Sequence, residues 1–233
     1  MGNWSLLQAL IFEPRKAFAE IAERPRFWFP LLLLLLTTAG VSLWYTSVVD
    51  MEWLVDHQIR ASGFAGMMTE QQITERAHQA GQRQGLQAAI ATGASAFVAV
   101  LMLLIGTLYY VLAGKVTNVD RTFRQWFAFS AWTSLPAVLG IIPAAFVLLT
   151  AASAQIPQEE LQPLSFNALF FQRTAGEPGY TLLNSLNLLQ IAALYLGAVG
   201  VKLWSGRSWL FSALFVALPY LLVFGIWAFI ALR

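Results

Sequence analysis

Two histidines and twelve carboxylates make up the chain's supply of conventional acid–base groups, and cysteine is absent. His57 and His78, with Glu52 and Asp56 near the first, sketch a cation site. They lack the short ligand spacings that metal centres use, so solvated loop histidines are the reading adopted and no metal or other cofactor is expected. Glu159 and Glu160 are the acids that a membrane-embedded enzyme acting on lipids would draw on. Asn184, Asn187 and Gln190 recur every three residues, which on a continuous helix gathers three amides on one side. Amides in lipid need internal partners, so this trio reads as intramembrane polar packing. The alternative is a polar path through the fourth span of a small transporter, channel or lipid-moving protein. Lys115, Arg121 and Arg124 gather around a single acid, Asp120, with Trp126 beside them; Arg15 and Lys16 follow Pro14 and precede Phe18. These eight residues other than Asp120 are the candidate contacts with a membrane interface or a partner.

Other chemistry is missing. There is no HExxH zinc motif, no GxSxG nucleophile elbow and no phosphate-binding glycine loop. Ser42, Ser95, Ser130, Thr133, Ser134, Ser185 and Ser212 have no histidine or lysine base near them in sequence, which assigns them to structural hydrogen bonding. No block of bases is long enough for nucleic acid.

Those residues must be held by apolar elements. The chain has 233 residues, 58% apolar and 11% charged, with a mean hydropathy of +0.62. Soluble domains carry about a quarter charged residues, so this surface cannot be mostly water-facing. The expected fold is all-α: a polytopic membrane bundle of five transmembrane helices with an N-terminal amphipathic interfacial helix. Five apolar runs fit spans at about 29–49, 88–114, 127–151, 182–204 and 209–231, making residues 29–231 one membrane domain. Residues 1–28 contain Glu13, Glu20, Glu23 and two prolines with no uninterrupted apolar core, so the first span is expected to double as the targeting signal.

Within residues 3–24, Leu7, Leu10, Ile11, Phe18 and Ile21 follow helical spacing, and Pro14 opens a second short helix. Two readings stand together: a helix lying in the membrane interface, and one packed on the protein's own cytoplasmic face. Thr69 with Gln72 forms a capping-box pattern in the polar loop 50–87. Trp53, Leu54, Phe64, Met67 and Met68 are placed to fold that loop back onto the membrane surface. Small residues recur every four positions in the second span (Ala88, Thr92, Ala96), and Ala193 with Gly197 continues such a surface in the fourth. Pro136 and Pro143 are expected to bend the third span. Tyr109, Tyr110, Trp126 and Trp132 flank a short basic loop and are expected at the membrane–water boundary.

Orientation follows from the bases. Arg15, Lys16, Arg24, Arg26, Lys115, Arg121, Arg124, Lys202 and Arg207 fall on the amino-terminal side, against Arg60, Arg76, Arg83, Arg173 and Arg233 on the other. The positive-inside rule then puts the amino terminus in the cytoplasm and the carboxyl terminus in the periplasm or outside.

Two stretches together resemble the Yip family (Ypt-interacting-protein domain), in its bacterial branch. FEPRKAFAEIAERPRFWFP resembles that family's opening, with a proline, an aromatic four residues on and a second proline before the first span. YYVLAGKVTNVDRTFRQWFAFSAWTSLP resembles its second-to-third-span hairpin, with Phe–Arg–Gln after the loop and Ser–Leu–Pro inside the helix. The Asp–Leu–Tyr–Gly–Pro element of eukaryotic members has no counterpart here, so neither vesicle trafficking nor small-GTPase binding is implied. The resemblance implies a five-span, non-enzymatic scaffold or accessory subunit of a bacterial inner membrane. Its partners would be membrane lipids and other integral membrane proteins or copies of itself, with no nucleic acid.

Overall fold

The computed structural model describes residues 1–61 and 65–231. Phe64 and Arg233, used above for loop folding and charge placement, lie outside the described residues. The helices in chain order are α1 (Asn3–Phe12), α2 (Pro14–Glu23), α3 (Trp28–Val48), α4 (Met51–Ala61), α5 (Glu70–Gln82) and α6 (Gln84–Thr117). They continue with α7 (Phe123–Thr133), α8 (Ile141–Thr150), α9 (Tyr180–Ser185), α10 (Leu188–Ser205) and α11 (Trp209–Ala231). Among the described residues there is no strand beyond one isolated antiparallel bridge, Ser165 to Asn187.

Among the described residues five segments are long and apolar enough to cross a membrane: α3, α6, α7 through α8, α10 and α11. The fold is a polytopic membrane helix bundle. At 1.5 Å per residue, the 34 residues of α6 extend about 51 Å, beyond the roughly 30 Å of a bilayer's hydrocarbon. The second span is thus longer than its apolar run. The third breaks where prolines were expected to bend it: α7 stops at Thr133, Leu135–Gly140 forms a 3-10 stretch, and α8 resumes. Pro219 sits inside α11 and cannot donate to the carbonyl of Phe215. The Tyr109 hydroxyl donates to that carbonyl instead, at 2.6 Å.

The chain packs as two compact units. The first comprises Met1–Leu36, Val98–Val138 and Leu189–Ile230. Its core is aromatic: Trp126 packs with Tyr110, Phe129, Trp204 and Phe215 at centroid distances of 5.1–5.8 Å. Tyr110, Trp126 and Trp132 were expected at the membrane boundary, and they are buried here. An indole buries a large area once its N–H has a partner, and Trp132 donates to the carbonyl of Arg26 at 2.7 Å.

The second unit comprises mainly Thr37–Phe97 and Leu139–Leu188. It holds a helical hairpin, α4 on α5, whose Leu54 and Ala80 pack with Tyr45, Val49 and Ile156. Leu54 therefore faces a protein core rather than the membrane surface, whereas Met67 is exposed. The capping box opening α5 forms as its sequence pattern requires.

Candidate functional site

The basic loop between α6 and α7 is a rigid turn. Asn118 adopts φ 55°, the left-handed conformation that ends a helix. The Val119 N–H then reaches back to the Gly114 carbonyl at 2.8 Å, and the Val119 side chain is buried. A side chain at Gly114 would meet the Val119 carbonyl at 2.9 Å, so the close return requires glycine. Thr122 restarts the helix through a second capping box: the Gln125 N–H donates to Thr122 Oγ1, and Gln125 Oε1 accepts from the Thr122 N–H.

Gln125 also reaches outside its own helix. Its Nε2 donates to the Ala22 carbonyl at 2.7 Å, one of the carbonyls left open at the end of α2. Trp204 Nε1 donates to the Phe18 carbonyl at 2.9 Å. With Trp132 on Arg26, three side chains from α7 and α10 clamp the segment between Phe18 and Arg26. Pro14 sits in the first turn of α2, and Ala17, Phe18 and Ile21 point inward, each 0% exposed. Phe18 packs on Phe129 at 5.4 Å and rests against Gly200.

This geometry corrects two of the candidate contact residues. Phe18 and Trp126 are fully buried, so neither can touch lipid or a partner. The apolar side of α2 is covered by the protein itself. On α1, Leu6, Ala9 and Leu10 pack inward while Trp4, Ile11 and Phe12 stay exposed. Ile11, which helical spacing groups with Leu7, Leu10, Phe18 and Ile21, is exposed, whereas Leu10, Phe18 and Ile21 are buried.

Lys115, Arg124 and Arg15 are exposed and Arg121 is half-buried, and none pairs with a carboxylate among the described residues. The Arg121 guanidinium lies 5.2 Å from the centre of the Trp204 ring, close enough for a cation–π contact. Lys16 pairs with Glu13 at 3.3 Å. Lys202 donates to the Arg207 carbonyl, and Arg207 to the Thr117 carbonyl, each at 2.5 Å, tying the α10–α11 turn to the end of α6. The sequence reading gave Gln125 only a place in the Phe–Arg–Gln element, Trp132 a place at the membrane boundary and Trp204 no role. The Thr-x-x-Gln spacing of Thr122 and Gln125 was the available signal for the first, and the need of a buried indole N–H for an acceptor was the signal for the others.

The amide trio does not form one helical side. The chain turns extended at Leu186, ending α9 before α10 begins at Leu188. Backbone bonds from Phe166 to Leu186 and from Leu188 to Leu164 hold that break. Asn184 accepts from Ser165 at 3.3 Å and donates to the Tyr180 carbonyl at 3.2 Å, Asn187 stands at the bridge, and only Gln190 lies within α10.

The loop acids also part company. Glu160 is exposed, whereas Glu159 accepts from the Tyr180 hydroxyl at 2.5 Å and lies 3.4 Å from His57 Nε2. Burial pushes the Glu159 carboxyl up, but the hydrogen bonds from Tyr180, its own backbone and His57 outweigh it and leave the group below the usual carboxylate range. That is the wrong direction for a general acid. His57 stacks on Trp53 at 4.8 Å, and His78 lies 3.3 Å from Glu52. Among the described residues no three potential ligands gather around a metal position.

The sequence profile of the Yip1 domain matches residues 8–232. The chain belongs to the Yip1 domain family. In this Yip1 domain, residues of the two resembling stretches serve packing: Pro14 starts α2, Phe18 fills the core and Gln125 clamps the end of α2. No curated protein and no solved structure matches the chain.

Proposed function

We propose that this protein is a non-catalytic membrane organiser or accessory subunit that binds other integral membrane proteins, or a second copy of itself, through the basic side of its first unit. In this reading residues 1–28 form a cytoplasmic interfacial segment and residues 29–231 the membrane domain, in a bacterial inner membrane. The amino terminus is in the cytoplasm and the carboxyl terminus is outside. The observation that carries it is the α6–α7 turn: Lys115, Arg121 and Arg124 stand on a frame locked at both helix ends, with no carboxylate partner among the described residues. Bases on a fixed frame lose little entropy when a partner engages them. Yip1 domains are not known as enzymes, and family members interact with other proteins.

The test is affinity capture in mild detergent from the native membrane, comparing the natural chain with Arg121→Glu/Arg124→Glu. The expected result is an integral membrane partner, or a second copy, that is lost in the variant while the variant still inserts. A protein that runs alone as a monomer in both forms overturns the proposal.

A further inference from the structure

Beside the same turn lies a cleft of about 260 Å³, lined by Val111 and Lys115 from α6, Val119, Asp120 and Arg121 from the turn, and Gln125 from α7. Gln125 is spent on Thr122 and Ala22. The free polar groups are the Lys115 ammonium, the Arg121 guanidinium and the Asp120 carboxylate. Two cations against one anion leave the cleft net positive. A guanidinium fork beside an ammonium suits phosphate oxygens. The Arg121 fork is already steadied over the Trp204 ring. On the neighbouring column of α6, toward the middle of the helix from Lys115, Leu112 and Leu108 are 63% and 52% exposed. Exposed apolar residues on a membrane-crossing helix face acyl chains. Cations at the last turn of such a helix sit at headgroup depth. A ligand matching both features is an amphiphile with a phosphate head.

We propose that this cleft binds the phosphate of an anionic phospholipid, with Lys115 and Arg121 on the headgroup and Leu112 and Leu108 along an acyl chain. This goes beyond the partner-binding reading and does not depend on it.

The test uses the full chain purified in mild detergent, with phosphatidylglycerol or phosphatidylcholine added and retained lipid read by native mass spectrometry. The natural chain is expected to hold phosphatidylglycerol preferentially. A base near an anionic headgroup contributes about 1 kcal/mol, so Lys115→Gln/Arg121→Gln is expected to weaken retention about 25-fold. Arg121→Lys keeps most of it, and Asp120→Asn strengthens it several-fold by removing the one opposing charge. Arg76→Gln, at an exposed base of α5 remote in sequence from the cleft, leaves it unchanged. An unchanged thermal unfolding midpoint confirms that each variant is folded. Equal retention of the two lipids, or retention indifferent to Lys115 and Arg121, overturns the proposal. So does binding of inorganic phosphate as tight as that of phosphatidylglycerol, which would make the cleft a free-phosphate site. If the double variant loses a captured protein but keeps its lipid, the lipid site fails and partner docking stands. If lipid retention depends on the two bases while the protein always runs alone, the lipid site stands and partner docking fails.

Discussion

At the scale of single residues, Gly200 sets how closely α2 can approach α10. A Cβ there would stand 2.6 Å from Phe129 Cε2 and 2.9 Å from Phe18 Cδ1, both ring atoms of buried residues. Gly200→Ala must push one ring aside, and overpacking of this kind costs about 1–3 kcal/mol. Gly106→Ala is the control, because nothing lies within 4 Å of the added methyl. A lowered thermal unfolding midpoint in detergent for Gly200→Ala, with no loss for Gly106→Ala, is the expected outcome; equal midpoints would show that the rings yield freely. Residue spacing made part of this legible. The surface through Ala193 and Gly197 was visible, and a Cβ on Gly197 would meet Val216 at 2.8 Å. Which glycine faces which ring was not, because Phe18 and Phe129 arrive from distant parts of the chain. The same limit hid the pairing of Tyr109 with the carbonyl freed by Pro219, since hydroxyl and acceptor stand 106 residues apart.

At the scale of elements, the apolar runs announced the spans, and their ends were the weak point. The capping box at Thr69 was legible because it opens a polar helix after a loop; the one at Thr122 has the same spacing but lies between two apolar runs and was read as basic loop. The fourth span was placed too early because Leu182 and Leu183 continue its apolar run, while the bridge at Ser165 and Asn187 breaks the helix there. Gln125 is the joint between the turn and α2, and its two roles can be separated. Gln125→Ala loses both the cap and the bond to Ala22, an expected loss of about 1–3 kcal/mol. Gln125→Glu can still accept from the Thr122 N–H but cannot donate to the Ala22 carbonyl. Limited proteolysis is expected to cut between residues 13 and 27 faster in both variants, with the larger drop in thermal midpoint for alanine. If Gln125→Glu resists cleavage as the natural chain does, the clamp on α2 rests on Trp132 and Trp204 instead.

At the scale of the whole molecule, an odd number of spans sends the two termini to opposite sides, and charge decides which side is which. Nine of the fourteen bases lie at residues 15–26, 115–124, 202 and 207, the ends that alternation assigns to the amino-terminal side. Arg24 and Arg26 stand directly before α3, where the bias weighs most. Burial of the apolar side of α2 and of Tyr110, Trp126 and Trp132 leaves this argument intact, because the bases themselves stay wholly or partly exposed. The absence of cysteine makes sidedness measurable without background. Single substitutions Gly2→Cys and Ser208→Cys are expected to react with an impermeant maleimide only after the membrane is opened from the cytoplasmic side. Gln82→Cys and Ser153→Cys, both at exposed positions, are expected to react from outside in intact cells. Labelling in the reverse pattern would place the basic turn outside and remove the cytoplasmic docking face. Labelling of all four positions from both sides would mean that the charge difference is too small to fix one orientation.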